Sequence, residues 1–382
     1  MDHQKVFEAV EQLEAKYIKM WEDICLIESP TNYKEGVDAV GKFCADFAQK
    51  MGWKVDIHHE DVSGDAVCIT MNPESKEQAI CLSAHMDTVH PVGSFGTPAV
   101  RMDDVNIYGP GVRDDKGGIV AGFMVMEALQ MCGYTKRPVK LILQSDEENS
   151  SATSKKRTVD FMEKMAKGSL AFFNLESFEP NKVTVRRKGI MKYRFDITGT
   201  AGHAGKCYDY VNAIREAAYK IVEIEKWKEK EGITCNVGTI TGGTGINVVA
   251  ETCSFQVDVR IIDAATRVQL AKELEAIAEK SFVEGSSCQL TLLSFRPAMP
   301  KFAPNDALVE RMNEIFAQTG LPVLEPTAVP GGSDCSDLVT RGIVGVDSLG
   351  IEGANSHSLK ESAELASLVR CGKRMAAVLM YL

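Results

Sequence analysis

Short apolar runs of strand length alternate with helix-length stretches over the first half of the chain, and this alternation constrains the fold most. The runs Ala79–Ala84, Val139–Gln144 and Leu170–Leu175 are long enough for a buried strand but too short for a typical helix. Helical stretches, Ile119–Met131 and Ser154–Met165, separate them. Because strands joined through helices run parallel with the helices against the sheet, the sequence predicts an α/β domain with a mostly parallel sheet.

The pattern changes between residues 189 and 297. Polar and apolar residues alternate there as in half-exposed strands, and the order β-α-β-β-α-β is typical of a ferredoxin-like open sheet. The α/β rhythm then returns. The sequence therefore predicts one α/β domain, formed by residues 1–187 and 299–382, that is interrupted by a smaller α+β domain at 188–298.

Three segments outside these runs also predict regular structure. Asp209–Lys230 has the pattern of a helix, and Gly342–Leu349 has that of a strand. Glu361–Leu379 is expected to form the closing helix.

The composition excludes several classes of function. Acidic residues outnumber basic ones 53 to 43, and the net charge of −10 would repel the phosphates of a nucleic acid. No apolar run approaches the roughly 20 residues that cross a bilayer, and the charged N-terminal segment lacks the apolar core of a signal peptide. Eleven dispersed cysteines without a C-x-x-C pair are typical of reduced thiols. We therefore expect a cytoplasmic protein with neither nucleic acid nor membrane as partner.

Imidazoles and carboxylates gather where the predicted strands of the α/β domain end. His85-Met86-Asp87, Glu147-Glu148 and Glu176 each follow a strand, and two loops add Asp114-Asp115 and His357. Each of these alone is compatible with an ordinary surface or loop residue. Because the carboxyl ends of parallel strands meet at one edge of a sheet, the carboxylates would repel one another there unless a cation neutralised them. The sequence therefore predicts one or two divalent metal ions at this edge.

Five separate motifs, spread over nearly the whole chain, resemble those of a known family of zinc exopeptidases and deacylases. This family includes glutamate carboxypeptidase, acetylornithine deacetylase and succinyl-diaminopimelate desuccinylase. The motifs are H-x-D at His85–Asp87, the glycine-rich Gly109–Gly118, the pair Glu147-Glu148, G-x-x-x-H-A-G at Gly199–Gly205 and H-S-x-x-E at His357–Glu361. The resemblance implies an α/β catalytic domain with an inserted ferredoxin-like domain that serves as a lid and dimerisation domain. It also implies two divalent ions, Zn²⁺ first, with Co²⁺ or Mn²⁺ as alternatives.

The resemblance implies a role for each residue of the metal centre. Asp114 would bridge the two ions, His85 and Glu176 would complete one site, and Glu148 and His357 the other. Glu179 competes with Glu176, because many relatives place this ligand before a proline. We favour Glu176 because it directly follows the apolar strand.

Two more residues take part in catalysis in this reading. Glu147 would be the general base that activates water. Asp87 would hydrogen-bond the second nitrogen of the His85 ring and fix its tautomer. The resemblance further implies a cis peptide bond between Asp114 and Asp115.

Substrate contacts are expected mainly from the inserted domain. His203 would reach across a dimer interface and donate a hydrogen bond to the developing oxyanion, although it could instead cap the backbone of its own turn. Asn247 and Arg260 match family positions, and the guanidinium of Arg260 suits a substrate carboxylate unless it only pairs with a neighbouring acid. Gly332 and Ser333 are expected in a turn that lines the pocket; the alternative is an ordinary loop.

The predicted activity is hydrolysis of an amide or peptide bond by a two-metal enzyme. Tyr108–Gly111 and His85–Val89 most resemble the glutamate carboxypeptidase-like branch, which favours an exopeptidase acting on small peptides or acyl amino acids. The alternatives are an N-acyl amino acid deacylase or a small-peptide aminopeptidase. A metal-stabilised binding protein without catalysis is the non-enzyme alternative. We expect a homodimer formed through the inserted domain.

Overall fold

The computed structural model describes residues 1–229 and 232–382, which divide into two compact units. Unit 1 comprises residues 1–186, 301–328 and 333–382, and unit 2 comprises residues 187–300 and 329–332. The predicted roles of the two domains, catalysis for one and lid and dimerisation for the other, stay predictions.

The described chain contains α-helices and β-strands along nearly its whole length. The helices are α1 (His3–Cys25), α2 (Lys34–Lys50), α3 (Lys116–Met131), α4 (Arg157–Ala166), α5 (Ala213–Glu225), α6 (Ala264–Glu279), α7 (Ala303–Thr319), α8 (Asp334–Thr340) and α9 (Ser367–Tyr381). The strands are β1 (Lys54–His58), β2 (Ala66–Met71), β3 (Ile80–His85), β4 (Arg101–Met102), β5 (Asn106–Tyr108), β6 (Val139–Gln144), β7 (Ala171–Asn174), β8 (Lys182–Arg187), β9 (Gly189–Thr198), β10 (Gly202–His203), β11 (Thr234–Gly242), β12 (Val248–Val249), β13 (Thr252–Ile261), β14 (Ser287–Arg296), β15 (Glu325–Val329), β16 (Gly345–Val346), β17 (Gly353–Ala354) and β18 (Ser362–Glu364).

The main sheet of unit 1 is mixed, with strand order β1-β2-β6-β3-β7-β16. The neighbours β6, β3, β7 and β16 pair in parallel, whereas β1 with β2 and β2 with β6 pair antiparallel. Every residue of β2, β3 and β7 is buried, which explains why their sequences are continuous apolar runs rather than alternating ones. The fold is therefore α/β, with parallel pairing in the part of the sheet that carries the predicted metal ligands.

Two glycines in the first turn of helix α3, Gly117 and Gly118, allow neighbouring segments to approach its backbone closely. A Cβ atom on Gly118 would lie 2.4 Å from Oδ1 of Asp115 and 2.6 Å from the carbonyl oxygen of Leu175. A side chain at this position would therefore push the Asp114-Asp115 loop away from the end of β7. The peptide bond between Asp114 and Asp115 is cis, which confirms the expectation drawn from the motif.

Unit 2 contains a four-stranded antiparallel sheet with strand order β11-β13-β9-β14. The four strands of this sheet and the helices α5 and α6 follow one another as β9-α5-β11-β13-α6-β14. The rings of Phe195 and Phe255 stack with centroids 4.6 Å apart in a core of its own, distinct from the core of unit 1.

Two predicted elements near the C-terminus are wrong in extent. The predicted helix Glu361–Leu379 begins only at Ser367, because Ser362–Glu364 forms strand β18, which pairs with β5. The predicted strand Gly342–Leu349 shrinks to Gly345–Val346, the part that pairs with β7. In both cases pairing with distant strands decided the boundary, and hydrophobic pattern alone does not report that pairing.

The predicted helix Asp209–Lys230 is also too long. Helix α5 begins after Asn212, whose side chain accepts hydrogen bonds from the backbone N–H groups of Ile214 and Arg215 and so caps the helix. Lys230 lies outside the described residues. Within the described chain, no helix combines the length and apolar character needed to cross a membrane.

Candidate metal centre

The parallel register of the sheet brings the predicted ligands to one edge. His85, the last residue of β3, lies opposite Gln144, the last residue of β6, so the Glu147-Glu148 turn follows directly beside it. On the other side, Ser83 of β3 lies opposite Asn174 of β7, and the N–H of Leu175 donates to the carbonyl oxygen of Ser83 over 2.8 Å. The C-terminal ends of β3, β6 and β7, which are far apart in sequence, therefore lie side by side at one edge of the sheet.

A first group of possible ligands consists of His85, Asp114 and Glu176. Nε2 of His85 lies 3.0 Å from Oδ1 of Asp114 and 3.7 Å from Oε1 of Glu176. The side chain of His85 is 2% exposed and those of Asp114 and Glu176 are each 13% exposed, so this group is largely shielded from solvent.

A second group consists of Asp114, Glu148 and His357. Nε2 of His357 lies 3.3 Å from Oδ2 of Asp114 and 3.2 Å from Oε2 of Glu148. The side chain of His357 is 58% exposed, so this group is open to solvent on one side. Asp114 belongs to both groups through different oxygen atoms.

These residues fit a pair of divalent ions. The ligand atoms of one tetrahedral zinc ion at about 2.0–2.2 Å are roughly 3.3–3.6 Å apart, and the atoms of each group lie within 4.8 Å of one another. Imidazole and carboxylate donors without a thiolate suit Zn²⁺, Co²⁺ or Mn²⁺. A carboxylate that offers one oxygen to each group can bridge the two ions of a two-metal site.

The ionisable groups of the cluster strongly perturb one another. Burial raises the pKa of Glu176 well above its ordinary value, and the charge of Asp114 adds to this effect. Burial and Asp114 raise the pKa of Glu148 as well. Burial also acts to raise the pKa of Asp114, but hydrogen bonds from His357 and His85 outweigh it and lower that pKa. Three carboxylates at these distances need positive charge beside them, which divalent cations supply.

The orientation of the His85 ring favours metal binding through Nε2. Its Nδ1–H donates to the carbonyl oxygen of Asp87 over 2.9 Å, which leaves the lone pair of the neutral ring on Nε2. The Asp87 carboxylate, predicted for this role, lies further away, with its Oδ1 3.4 Å from Nδ1, and its part in orienting the ring stays a prediction. The carboxylate instead accepts hydrogen bonds from the backbone N–H groups of Glu147 and Glu148 and from the hydroxyl of Thr31. Through these hydrogen bonds, Asp87 holds the Glu147-Glu148 turn next to the end of β3.

Glu147, the predicted general base, lies in the same short turn as the candidate ligand Glu148. The turn covers Glu147–Asn149, and Glu147 is 9% exposed. Its carboxylate is near enough to Glu176 to contribute to the raised pKa of that residue. Glu147 thus lies beside the cluster without belonging to either ligand group.

The geometry separates the two competing glutamates. Glu176 is in the first group, whereas Glu179 pairs with Lys182 and its side chain is 63% exposed. We expect Glu176→Ala to weaken binding of one ion by more than about 10-fold, because a ligand is lost, and Glu179→Ala to leave it unchanged. Metal content after dialysis against a weak chelator measures both; the reverse ranking would make Glu179 the ligand.

Glu361 and His90 form a contact that the sequence analysis missed. One oxygen of the buried Glu361 carboxylate accepts from the backbone N–H groups of Arg113 and Asp114 over 2.9 and 3.1 Å. The other accepts from Nε2–H of the buried His90 over 2.7 Å. Glu361 closes the H-S-x-x-E motif, so the motif could have indicated it. His90 carries no such signal, because its contact spans 271 residues.

Glu361 therefore positions Asp114, and this predicts a measurable effect. We expect Glu361→Ala to weaken metal binding by about 10- to 100-fold, as removal of the groups that orient ligands commonly does. Glu361→Gln, which keeps an acceptor oxygen, should retain most of the affinity. Competition with a fluorescent chelator gives the affinity. Glu127→Ala, which removes another buried carboxylate of unit 1 that is bound to Lys16 and Tyr17, is the control. Equal affinities for Glu361→Ala and Glu127→Ala would contradict the role.

The predicted substrate residues of unit 2 do not share one environment. His203 is exposed, and its Nδ1 accepts a hydrogen bond from the N–H of Gly205 over 3.0 Å, so the ring proton of the neutral form is on Nε2. The side chain of Asn247 is exposed, and its backbone carbonyl oxygen accepts a hydrogen bond from the N–H of Ala204. The guanidinium of Arg260 forms two hydrogen bonds with Asp258, over 2.7 and 3.1 Å. The alternative noted for Arg260, pairing with a neighbouring acid, is thus present in the structure.

Gly332 and Ser333 also differ from a simple pocket turn. A Cβ atom on Gly332 would lie 2.7 Å from Cδ of Arg296, so a side chain at this position would displace Arg296 within unit 2. Ser333 belongs to unit 1, is fully buried, and donates a hydrogen bond from its hydroxyl to Asp347. Their substrate role stays a prediction.

The fold and the two ligand groups that share one carboxylate define a class, the metal-dependent hydrolases of amide and peptide bonds. The sequence of residues 81–381 matches the family model of peptidase family M20/M25/M40, and the chain belongs to this family. This confirms the resemblance inferred from the motifs. The chain is a metal-dependent peptidase.

Individual relatives agree with this assignment. Carboxypeptidase G2 of Pseudomonas sp. (strain RS-16) is 27% identical over 378 residues, which cover 96% of this chain and 89% of the relative. A tripeptidase from Staphylococcus aureus shares the fold with a TM-score of 0.79 at 21% identity, over 96% of this chain and 97% of its own. An M20 family metallo-carboxypeptidase from Sulfolobus solfataricus gives a TM-score of 0.77 at 16% identity, over 96% and 98%.

Proposed function

We propose that this protein is a two-metal exopeptidase that removes the C-terminal residue from small peptides or acyl amino acids. The observation that carries the proposal is the pair of ligand groups that share Asp114, with Glu147 beside them outside both groups. His85, Asp114 and Glu176 would hold one ion, and Asp114, Glu148 and His357 the other.

In the proposed reaction, each residue near the metal ions has its own role. When bound, the two ions act as Lewis acids on the scissile carbonyl group and lower the pKa of water. Glu147 takes a proton from the attacking water and later gives it to the departing amine. Asp87 holds the Glu147 backbone through a hydrogen bond of 3.1 Å, which limits the positions that the base can take.

Two residues of unit 2 take part in the proposed reaction. His203 donates from Nε2 to the oxygen on which negative charge develops, and the proton position set by Gly205 supports this donor role. Arg260 binds the C-terminal carboxylate of the substrate. Its pairing with Asp258 is compatible with this, because a guanidinium has five donors and uses two on that partner.

Carboxypeptidase activity is favoured over the alternatives by sequence. Carboxypeptidase G2 is 27% identical to this chain, whereas the tripeptidase from S. aureus, which covers the same 96% of the chain, is 21% identical. We therefore rank N-acyl amino acid deacylase and small-peptide aminopeptidase second.

A substrate panel distinguishes these activities. The protein should hydrolyse N-blocked dipeptides and acyl amino acids, and amidation of the C-terminal carboxylate should abolish hydrolysis. Hydrolysis of amidated peptides with a free N-terminus would favour the aminopeptidase. Turnover of acyl amino acids alone would favour the deacylase.

The proposal includes a homodimer formed through unit 2. Strand β11 is at one edge of its sheet, contains no charged residue, and is exposed from Gly238 to Gly242. An uncharged edge strand is a template for pairing with a second copy. In such a dimer, His203 of one copy donates its hydrogen bond to the substrate at the metal centre of the other copy.

Subunit mixing tests this arrangement. Glu147→Gln and His203→Ala homodimers should each be inactive, and dissociation and reassociation of the mixture should restore part of the activity. Without recovery, His203 does not act across subunits. A wild-type mass of 41.8 kDa in solution would exclude the dimer itself.

The proposal also includes zinc as the metal and the cytoplasm as the location. The donor set of imidazole and carboxylate groups suits Zn²⁺, and Co²⁺ or Mn²⁺ remain alternatives for the assay. All eleven cysteines are free thiols, which supports a location in the cytoplasm. The proposed partners are therefore a small substrate and a second copy of the chain.

A further inference from the structure

A pocket of about 250 Å³ opens in unit 1 near the segment that follows Glu176. Its lining contains no residue of either ligand group. One part of the lining is apolar and includes Phe178, Leu321 and Leu324, whereas the other is basic and includes Arg370, Lys373 and Arg374. Such a combination of apolar surface with a few converging polar groups is typical of small-molecule sites.

Arg374 is the unusual member of this lining. It is 8% exposed, and its guanidinium lies over the ring of Phe178 with 3.7 Å to the centroid. Its Nη2 donates to the carbonyl oxygens of Leu349 and Gly350 over 2.8 and 3.1 Å. Its Nε–H has no acceptor among the described residues. The hydrogen bonds that Arg374 donates therefore go to neutral carbonyl groups, and one of its N–H groups has no acceptor in the described chain.

The other two basic residues have carboxylate partners. Arg370 forms a two-bond fork with Glu352, which also lines the pocket, and a further pair with Glu364. Lys373 pairs with Glu11.

Arg374, by contrast, forms its hydrogen bonds within the described chain to backbone carbonyls, and Glu352 acts on it only through its charge. Buried charges in proteins are normally paired, because desolvation without a partner is costly. The guanidinium stays protonated even when buried, so an anion in the pocket would stabilise it.

The size and the apolar lining limit what such an anion can be. A cavity of about 150 Å³ holds one benzene molecule, so this pocket accepts a single ring or branched alkyl group together with one carboxylate. Phe178, Leu321 and Leu324 would contact the apolar part.

We propose that this pocket is a second ligand site, separate from the metal centre, that binds a small monocarboxylate with one apolar substituent. The carboxylate accepts hydrogen bonds from the remaining donors of Arg374, and the apolar group lies against Phe178 and Leu321. The inference does not rest on the proposed substrate, because the pocket contains none of the candidate ligands.

Calorimetric titration of the full-length, metal-loaded protein with phenylacetate tests the site. We expect saturable binding of phenylacetate and at least about 10-fold weaker binding of phenylacetamide, which has the same shape without the charge. The titration is repeated after removal of the metal ions by a chelator. Binding that persists belongs to the pocket, whereas binding that disappears with the ions belongs to the metal centre and overturns the proposal.

Variants locate the site. Arg374→Met and Leu321→Trp should each weaken phenylacetate binding by about 10-fold or more, the first by removing the charge and the second by filling the pocket. Arg341→Met removes an arginine paired with Asp160 and Glu163 elsewhere in unit 1, and it should bind as wild type. If Arg374→Met does not fold, Leu321→Trp decides, since it keeps Arg374. Wild-type affinity in Leu321→Trp, or equal affinity for acid and amide, would overturn the proposal.

Discussion

Glu147→Gln is expected to lose nearly all turnover while it keeps both metal ions. The side chain retains its size and loses only its ability to take a proton, and general-base catalysis contributes about 10²- to 10⁴-fold to rate. Steady-state kinetics on the best substrate of the panel give kcat, and elemental analysis of the same sample gives the metal content. KM should change little, because Glu147 belongs to neither ligand group.

The adjacent residue provides the matched control. Glu148→Gln makes the same chemical change one position further, but Glu148 is in the second ligand group, 3.2 Å from His357. It should therefore lower metal content and turnover together. Turnover retained by Glu147→Gln would remove Glu147 from the role of base, and metal loss in that variant would show that Glu147 is a ligand.

Asp114→Ala is expected to have the largest effect on metal binding. Asp114 belongs to both ligand groups, so its removal takes one ligand from each ion and leaves the carboxylates Glu148 and Glu176 without a bridge. We expect binding of both ions to weaken by more than about 100-fold, beyond the loss typical of residues that only orient ligands. Metal content after gel filtration should fall close to zero, and activity should fall with it.

Variants of residues that belong to only one ligand group test whether Asp114 binds both ions. His85→Ala removes a ligand of the first group only, and His357→Ala removes one of the second group only. Each should retain one ion. If Asp114→Ala also retains one ion firmly, Asp114 is a ligand of a single site and does not bridge.

Much of the centre was predictable because its residues follow buried strands. His85 and Glu176 come directly after apolar runs whose length indicates strands, and the parallel register then forces them together. Asp114 and His357 lie in loops, and their assignment depended on the motifs rather than on hydrophobic pattern. Glu176 could be preferred over Glu179 for the same reason, since only Glu176 directly follows the end of a strand.

The rest of the arrangement depends on contacts that sequence pattern does not report. The pairing of β18 with β5 shortened the predicted closing helix, and it places Glu361 where it can bind the backbone of Asp114. The hydrogen bond between Glu361 and His90 joins residues 271 positions apart. The buried Arg374 over Phe178 is likewise a product of tertiary packing. No local period or spacing carries such information.

Anomalous diffraction from crystals of the zinc-loaded full-length protein tests the central claim most directly. We expect two strong peaks in unit 1, one among His85, Asp114 and Glu176 and the other among Asp114, Glu148 and His357, about 3.5–4 Å apart as in other two-metal sites. A single peak, or peaks that do not contact Asp114, would contradict the account.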